Sequence, residues 1–244
     1  MNSVEDTTLR GQVAVITGAG RGIGRAIALA YAKAGATVVC SARSGGEIDE
    51  TVALITSKGG RAIAIASDVA NYESVEALFS GAVRAFDGVD IVLANAGVGT
   101  VTGTVEHSDP KLWKEVIDVN LVGAFNTARA AIPHLRRRGA GKLILMGSGL
   151  RQRPNANLSA YGCSKAGMWL LTQTLALELL DANISVNELI PGPVRTAMTD
   201  FGGKCQFNEE WLKEPEDVVP LAMFLASQPD VGPSAQSFSL MRRA

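Results

Sequence analysis

Short aliphatic and β-branched runs alternate along the chain with longer stretches in which apolar positions recur every three to four residues. The runs are VAVIT at 13–17, TVVCSA at 37–42, RAIAIA at 61–66, DIVLANA at 90–96, KLILMGS at 142–148 and ISVNELI at 184–190. Runs this continuously apolar predict strands covered on both faces. Between them, segments such as RAIALAYAKAG and ESVEALFSGAVRAF carry a single apolar stripe, which predicts amphipathic helices. Strand and helix in alternation predict an α/β fold, a doubly wound parallel sheet with right-handed crossovers and helices on both faces. A last strand-like segment, SFSLM at 237–241, brings the expected sheet to about seven strands. RRRG at 136–139 reads as a helix end, with cations at the negative pole and glycine just beyond. No linker, repeat or low-complexity stretch interrupts the pattern, so residues 1–244 read as one domain.

Composition narrows the function. The chain has 244 residues, 47% of them apolar, which is enough to bury a large core. A net charge of -1 and an aromatic content of 5% argue against nucleic-acid binding, by phosphate neutralisation or by base stacking. The polar start MNSVEDTTLRGQ lacks the apolar core of a signal peptide, and no apolar stretch is long enough to span a bilayer. A cytoplasmic protein acting on a small molecule is expected, with neither nucleic acid nor membrane as partner. Cys40, Cys163 and Cys205 form no CxxC pair, and His107 and His134 sit in no metal-ligand spacing, so no metal is expected. The histidines read as surface or capping residues.

The segment TGAGRGIG, Thr17 to Gly24, follows the first strand directly and opens the first helix. Glycines at such a turn let the backbone approach a pyrophosphate, and the helix N-terminus offers free N–H groups and a positive dipole end. The spacing Gly18-x-x-x-Gly22-Ile23-Gly24 differs from G-x-G-x-x-G, and no Walker lysine follows. In this context it predicts a Rossmann-type dinucleotide site. At the end of the second strand an acid would bind a ribose 2′-hydroxyl, whereas arginine suits a 2′-phosphate. The chain has Ala42 and Arg43 there, and Arg21 inside the glycine turn supplies a second guanidinium. NADP(H) is therefore favoured over NAD(H).

YGCSK, Tyr161 to Lys165, places a phenol and an ammonium four residues apart, on one face of a helix. With the glycine turn, Asp68-Val69, Asn95-Ala96-Gly97, Asn120, Ser148 and Pro191-Gly192-x-Val194-x-Thr196, this order and spacing resembles the short-chain dehydrogenase/reductase family from about residue 11 to about residue 228. The resemblance implies a catalytic set of Asn120, Ser148, Tyr161 and Lys165. Tyr161 would be the general acid or base toward a carbonyl or alcohol oxygen. Lys165 would favour its phenolate and hold the nicotinamide ribose. Ser148 would orient the substrate oxygen, and Asn120 would hold a water linking Lys165 to solvent. By the same resemblance Asp68 and Val69 lie beside the adenine, Asn95, Ala96 and Gly97 shape the cofactor cleft, and Thr196 lies near the carboxamide. Gly97, Pro191 and Gly192 also fit a purely structural role at strand ends. Cys163 is expected to pack within the helix.

The chain departs from the family pattern at Ala94, where a second Asn is common, and at the C-terminus, where Arg242 and Arg243 replace glycines. The second departure bears on the geometry of the homo-oligomer, dimer or tetramer, that the resemblance implies. Residues 197–215 are expected to form the substrate flap, with Phe201 and Trp211 as apolar covers. Arg151 and Arg153 either meet the substrate or are solvated loop residues. The implied activity is that of an NADP(H)-dependent carbonyl reductase or alcohol dehydrogenase. A catalytically silent NADP(H) sensor is the alternative, although the complete active set speaks for turnover.

Overall fold

The computed structural model describes residues 8–99, 103–199 and 212–241. Seven strands, β1 (Val13–Thr17), β2 (Thr37–Ala42), β3 (Arg61–Ala66), β4 (Ile91–Ala94), β5 (Gly141–Met146), β6 (Ile184–Ile190) and β7 (Ser237–Ser239), form one sheet in the order β3-β2-β1-β4-β5-β6-β7. Every pairing is parallel. The helices are α1 (Gly22–Lys33), α2 (Gly45–Thr56), α3 (Tyr72–Phe86), α4 (Pro110–Ile117), α5 (Gly123–Arg138), α6 (Ser159–Glu178) and α7 (Val219–Ala226). The chain builds outward from β1 to β3, then returns to lay β4 on the other side of β1. That reversal opens a crevice at the C-terminal ends of β1 and β4.

The two faces of the sheet carry separate cores, because successive side chains on a strand point to opposite sides. Val13 and Val15 of β1 join a cluster with Phe79 of α3, Leu135 of α5 and Met168 of α6. Ala14 and Ile16 join the opposite cluster with Ile27 of α1, Ile55 of α2 and Leu225 of α7. Burial of all five β1 residues explains its unbroken apolar run. At its far end α5 stops where predicted, after Arg136, Arg137 and Arg138, with Gly139 at φ 79°.

Three strands are shorter than the sequence pattern predicts. β4 stops at Ala94 because the amides of Asn95 and Ala96 leave the ladder to donate to the Thr17 hydroxyl, each at 3.1 Å. β5 stops at Met146, and β7 is a three-residue edge strand. His107 is exposed, as expected, beside Thr104, but His134 is half-buried and stacks on Phe79. Cys163 is exposed, not packed as expected, because its place on α6 faces away from the sheet. Cys40 is buried in β2, and Cys205 lies outside the described residues.

A neck closes the segment expected to be the flap. Val194 bridges Lys213, with the Arg195 amide donating to Lys213 O at 2.8 Å and the Lys213 amide to Pro193 O at 3.1 Å. Arg195 also pairs with Glu214 at 2.9 Å. Phe201, Trp211, Arg242 and Arg243 lie outside the described residues. Among the described residues, no helix is long and apolar enough to cross a membrane.

Candidate active site

A cleft of about 1020 Å³ runs along the C-terminal strand ends, at the upper end of the range for small-molecule and cofactor sites. Its floor is the glycine turn. Gly18 adopts φ +67°, and a Cβ on it would meet the Asn95 side chain at 2.8 Å; one on Gly24 would overlap Gly18 O. A side chain at either position would clash with the turn itself or with the Asn95–Ala96 segment packed against it, so only glycine allows this close approach of backbone to backbone. Asn95 fixes this floor, its amide donating to Thr17 O at 2.9 Å and Gly18 O at 3.2 Å. The N-terminus of α1, with Gly22 and Ile23, opens into the same space. An absent side chain in the turn and a helix N-terminus facing an open cleft suit a dinucleotide pyrophosphate.

One end of the cleft is lined by Ser41, Ala42 and Arg43 at the end of β2, with Arg21 opposite. Both arginines are exposed. Glu47 of α2, which the sequence reading missed, also lines this end, its carboxylate 3.5 Å from Arg21 Nη1. Val69 lines the wall with Ser67, while the Asp68 carboxylate accepts from the Ala70 amide at 3.0 Å. Ala96 and Gly97 line the middle of the cleft; Pro191, Gly192, Val194 and Thr196 form the far wall.

The chemistry gathers where α6 meets β5. Tyr161 and Lys165 line the cleft one helical turn apart, with Lys165 Nζ 5.6 Å from the Tyr161 ring centroid. Ser148, just beyond β5, hydrogen-bonds Tyr161 through its side chain and accepts from the Leu150 amide at 3.3 Å. Lys165 is buried and donates to Met146 O at 2.6 Å. Burial pushes its ammonium down to about 8, while the Glu188 carboxylate opposes that fall. Burial raises the Tyr161 phenol above its ordinary value, and the Ser148 bond works against that rise.

Asn120 stands behind this group in a π turn, Asp118–Val122, that joins α4 to α5. Such turns recur at functional sites. Its Oδ1 accepts from the Val98 amide at 2.8 Å, and its Nδ2 donates to Val98 O at 2.9 Å and Ser164 Oγ at 3.3 Å. Both Nδ2 hydrogens are thus taken, and Oδ1 holds the Val98 amide, so the side chain fixes the Val98 loop against α6.

Arg151 answers to neither sequence expectation. Its side chain turns inward, only 9% exposed, to pair with Glu188 and lie 5.1 Å over the Trp169 ring. Arg153 is exposed. Met241, also unforeseen, packs where side chains on Gly149 and Gly192 would stand.

The fold has known counterparts. A 3β-hydroxysteroid dehydrogenase of Eggerthella lenta is 38% identical over 230 residues, covering 90% of this chain and 88% of its own. A 3-oxoacyl-[acyl-carrier-protein] reductase of Synechocystis is 34% identical, covering 91% and 92%. The crystal structure of a short-chain type dehydrogenase/reductase from Mycobacterium marinum superposes with a TM-score of 0.90 at 30% identity over 97% of each chain. The family model described as short chain dehydrogenase matches residues 12–204. With that match, the parallel sheet and the cleft at its switch point, the chain belongs to the short-chain dehydrogenase/reductase family of nicotinamide-dependent oxidoreductases.

Proposed function

We propose that this protein is an NADP(H)-dependent carbonyl reductase, equivalently a secondary-alcohol dehydrogenase. The observation that carries the reading is the meeting of Tyr161 and Lys165, with Ser148 beside the phenol, at the cleft that continues into the glycine turn. When bound, the nicotinamide supplies or accepts the hydride. Gly18, Gly22, Ile23 and Gly24 hold the pyrophosphate, Arg21 and Arg43 the 2′-phosphate, and Ser67, Asp68 and Val69 border the adenine. Asn95, Ala96 and Gly97 shape the middle of the cleft. Pro191, Gly192, Val194 and Thr196 form the wall at the nicotinamide end, with residues 197–215 as substrate flap.

Ser148 donates to the substrate oxygen and fixes the carbonyl toward Tyr161. Tyr161 then gives its phenolic proton to that oxygen in reduction, or takes it back in oxidation. Lys165 lowers the cost of the phenolate by placing a positive charge beside it. Asn120 anchors the Val98 loop and Ser164 and holds a water that links Lys165 to solvent. The relatives named for a hydroxysteroid and an oxoacyl substrate support the carbonyl and secondary-alcohol class. Aliphatic side chains exposed along α6 support a homo-oligomer.

The test follows NADPH and NADH consumption across ketones, ketoacyl thioesters, quinones, sugars and keto acids. NADPH-dependent turnover of one class is expected, and Tyr161→Phe should keep NADPH binding while turnover falls about 10²–10⁴-fold. Undiminished turnover in that variant would sink the mechanism, and NADPH binding without turnover on any class would favour a sensor.

A further inference from the structure

Glu188 sits where the period of β6 calls for an aliphatic side chain. Ile184 and Val186, on the same face of the strand, join the apolar cluster that includes Met168 of α6. Glu188 follows two residues later, wholly buried. A carboxylate at such a place is costly unless its charge is answered.

The answer comes from several elements. Ser237 of β7 donates to Oε2 at 2.6 Å. Arg151 Nε, from the turn after β5, lies 3.3 Å from the same oxygen, without hydrogen-bond alignment. The other oxygen, Oε1, has no hydrogen-bond partner and rests against Gly147; a Cβ on that glycine would collide with it. Gly147 joins Met146, whose carbonyl takes the Lys165 bond, to Ser148, which bonds Tyr161. The carboxylate is thus packed against the short segment that serves both catalytic side chains.

We propose that Glu188 is a positioning residue of the active site: braced by Arg151 and Ser237, its carboxylate is the counter-charge that holds the Lys165 ammonium beside Tyr161. The inference rests on the Tyr161–Lys165 reading above. Among the described residues, the charged and titratable groups around Lys165 and Glu188 are Tyr161 on the helix of Lys165 and Arg151 beside Glu188, with Lys213 against Gly192 past the end of β6. Burial disfavours the ammonium, and Glu188 is the carboxylate that opposes this. Burial raises the Glu188 carboxyl above its ordinary value, and the Ser237 hydrogen bond and the Arg151 and Lys165 charges work against that rise.

The experiment titrates Lys165 directly in the full chain, by carbon-13 NMR of lysine-labelled protein, with the resonance assigned through Lys165→Met. In Glu188→Gln the Lys165 proton affinity should fall about tenfold, one pH unit. A titration that superposes on the parent, with only thermal stability lowered, would show Glu188 to be a structural brace and overturn the proposal. Breaking a buried pair from one side can unfold a protein, whereas replacing both partners by apolar groups is tolerated. The double variant Glu188→Leu/Arg151→Met therefore provides a second route, and a smaller fall in the same direction is expected there, because the Arg151 cation that disfavours the ammonium leaves with the carboxylate; no fall overturns the proposal. Turnover of Tyr161→Phe separates the two claims: retained turnover removes the active-site reading and this role with it, whereas an unmoved Lys165 titration removes only the role of Glu188.

Discussion

Lys165 is a cation held where burial opposes its charge, and stability records that opposition. Unfolded, the amine keeps its proton to about 10.5; folded, it releases it near about 8. Between those values the unfolded chain binds more protons, so the Lys165 contribution to stability rises with pH, and its cost is complete below about 8. Lys165→Met should therefore stabilise the cofactor-free protein at pH 7 by up to about 3 kcal/mol. The advantage should vanish as pH approaches 10.5, which thermal melts of the two proteins across pH would reveal. At the other end of the cleft, Arg43→Asp should move preference toward NADH, and an unchanged ratio of NADPH to NADH affinity would place the 2′-phosphate elsewhere. Glu47 already pairs with Arg21, so in the proposed NADP(H) site it would compete for that guanidinium and repel the 2′-phosphate. Glu47→Gln should tighten NADPH severalfold and leave NADH nearly unchanged, by fluorescence titration.

Elements differ in how openly the sequence announces them. β1, β2, β3 and β6 were legible to the residue as local apolar runs, which burial on both faces accounts for in β1, β2 and β6, whereas β3 is a half-buried edge strand. The ends of β4 and β5 were not, since Asn95 and Gly147 answer to partners distant in the chain. The cleft-lining glycines were legible from their place between a strand and a helix, and Tyr161 and Lys165 from the order of all the family-like motifs taken together. Glu188 was invisible inside ISVNELI: only folding brings Arg151 and Ser237 to it. The π turn around Asn120 likewise has no local signature, and neither does the inward turn of Arg151. Among these devices Asn95 is the most exposed to test, because one amide ties the end of β4 to the turn after β1. Asn95→Ala should lower thermal stability by about 1–3 kcal/mol and weaken cofactor binding with it; a lower melting temperature with unchanged affinity would make the stitch purely structural.

On the scale of the whole molecule, the described surface is apolar in places that a monomer would cover. Leu170 and Leu177, seven residues apart on one face of α6, are 60% and 77% exposed, with Leu180 just beyond. Association through this face is the expected reason. Leu170→Lys/Leu177→Lys should convert the oligomer to monomers in light scattering with the far-ultraviolet spectrum unchanged; an unaltered mass would move the interface to another face.

The neck formed by Val194 and Lys213 separates inheritance of the fold from inheritance of the flap. Whatever lies between these residues leaves and re-enters the body at one fixed gate, held by backbone bonds that are indifferent to the side chains beyond it. A graft of another length costs little to close, about 0.6 kcal/mol for each doubling of the loop. If the proposed substrate flap is such a segment, its exchange between relatives would change which substrate is accepted while the sheet and the glycine turn stay as they are.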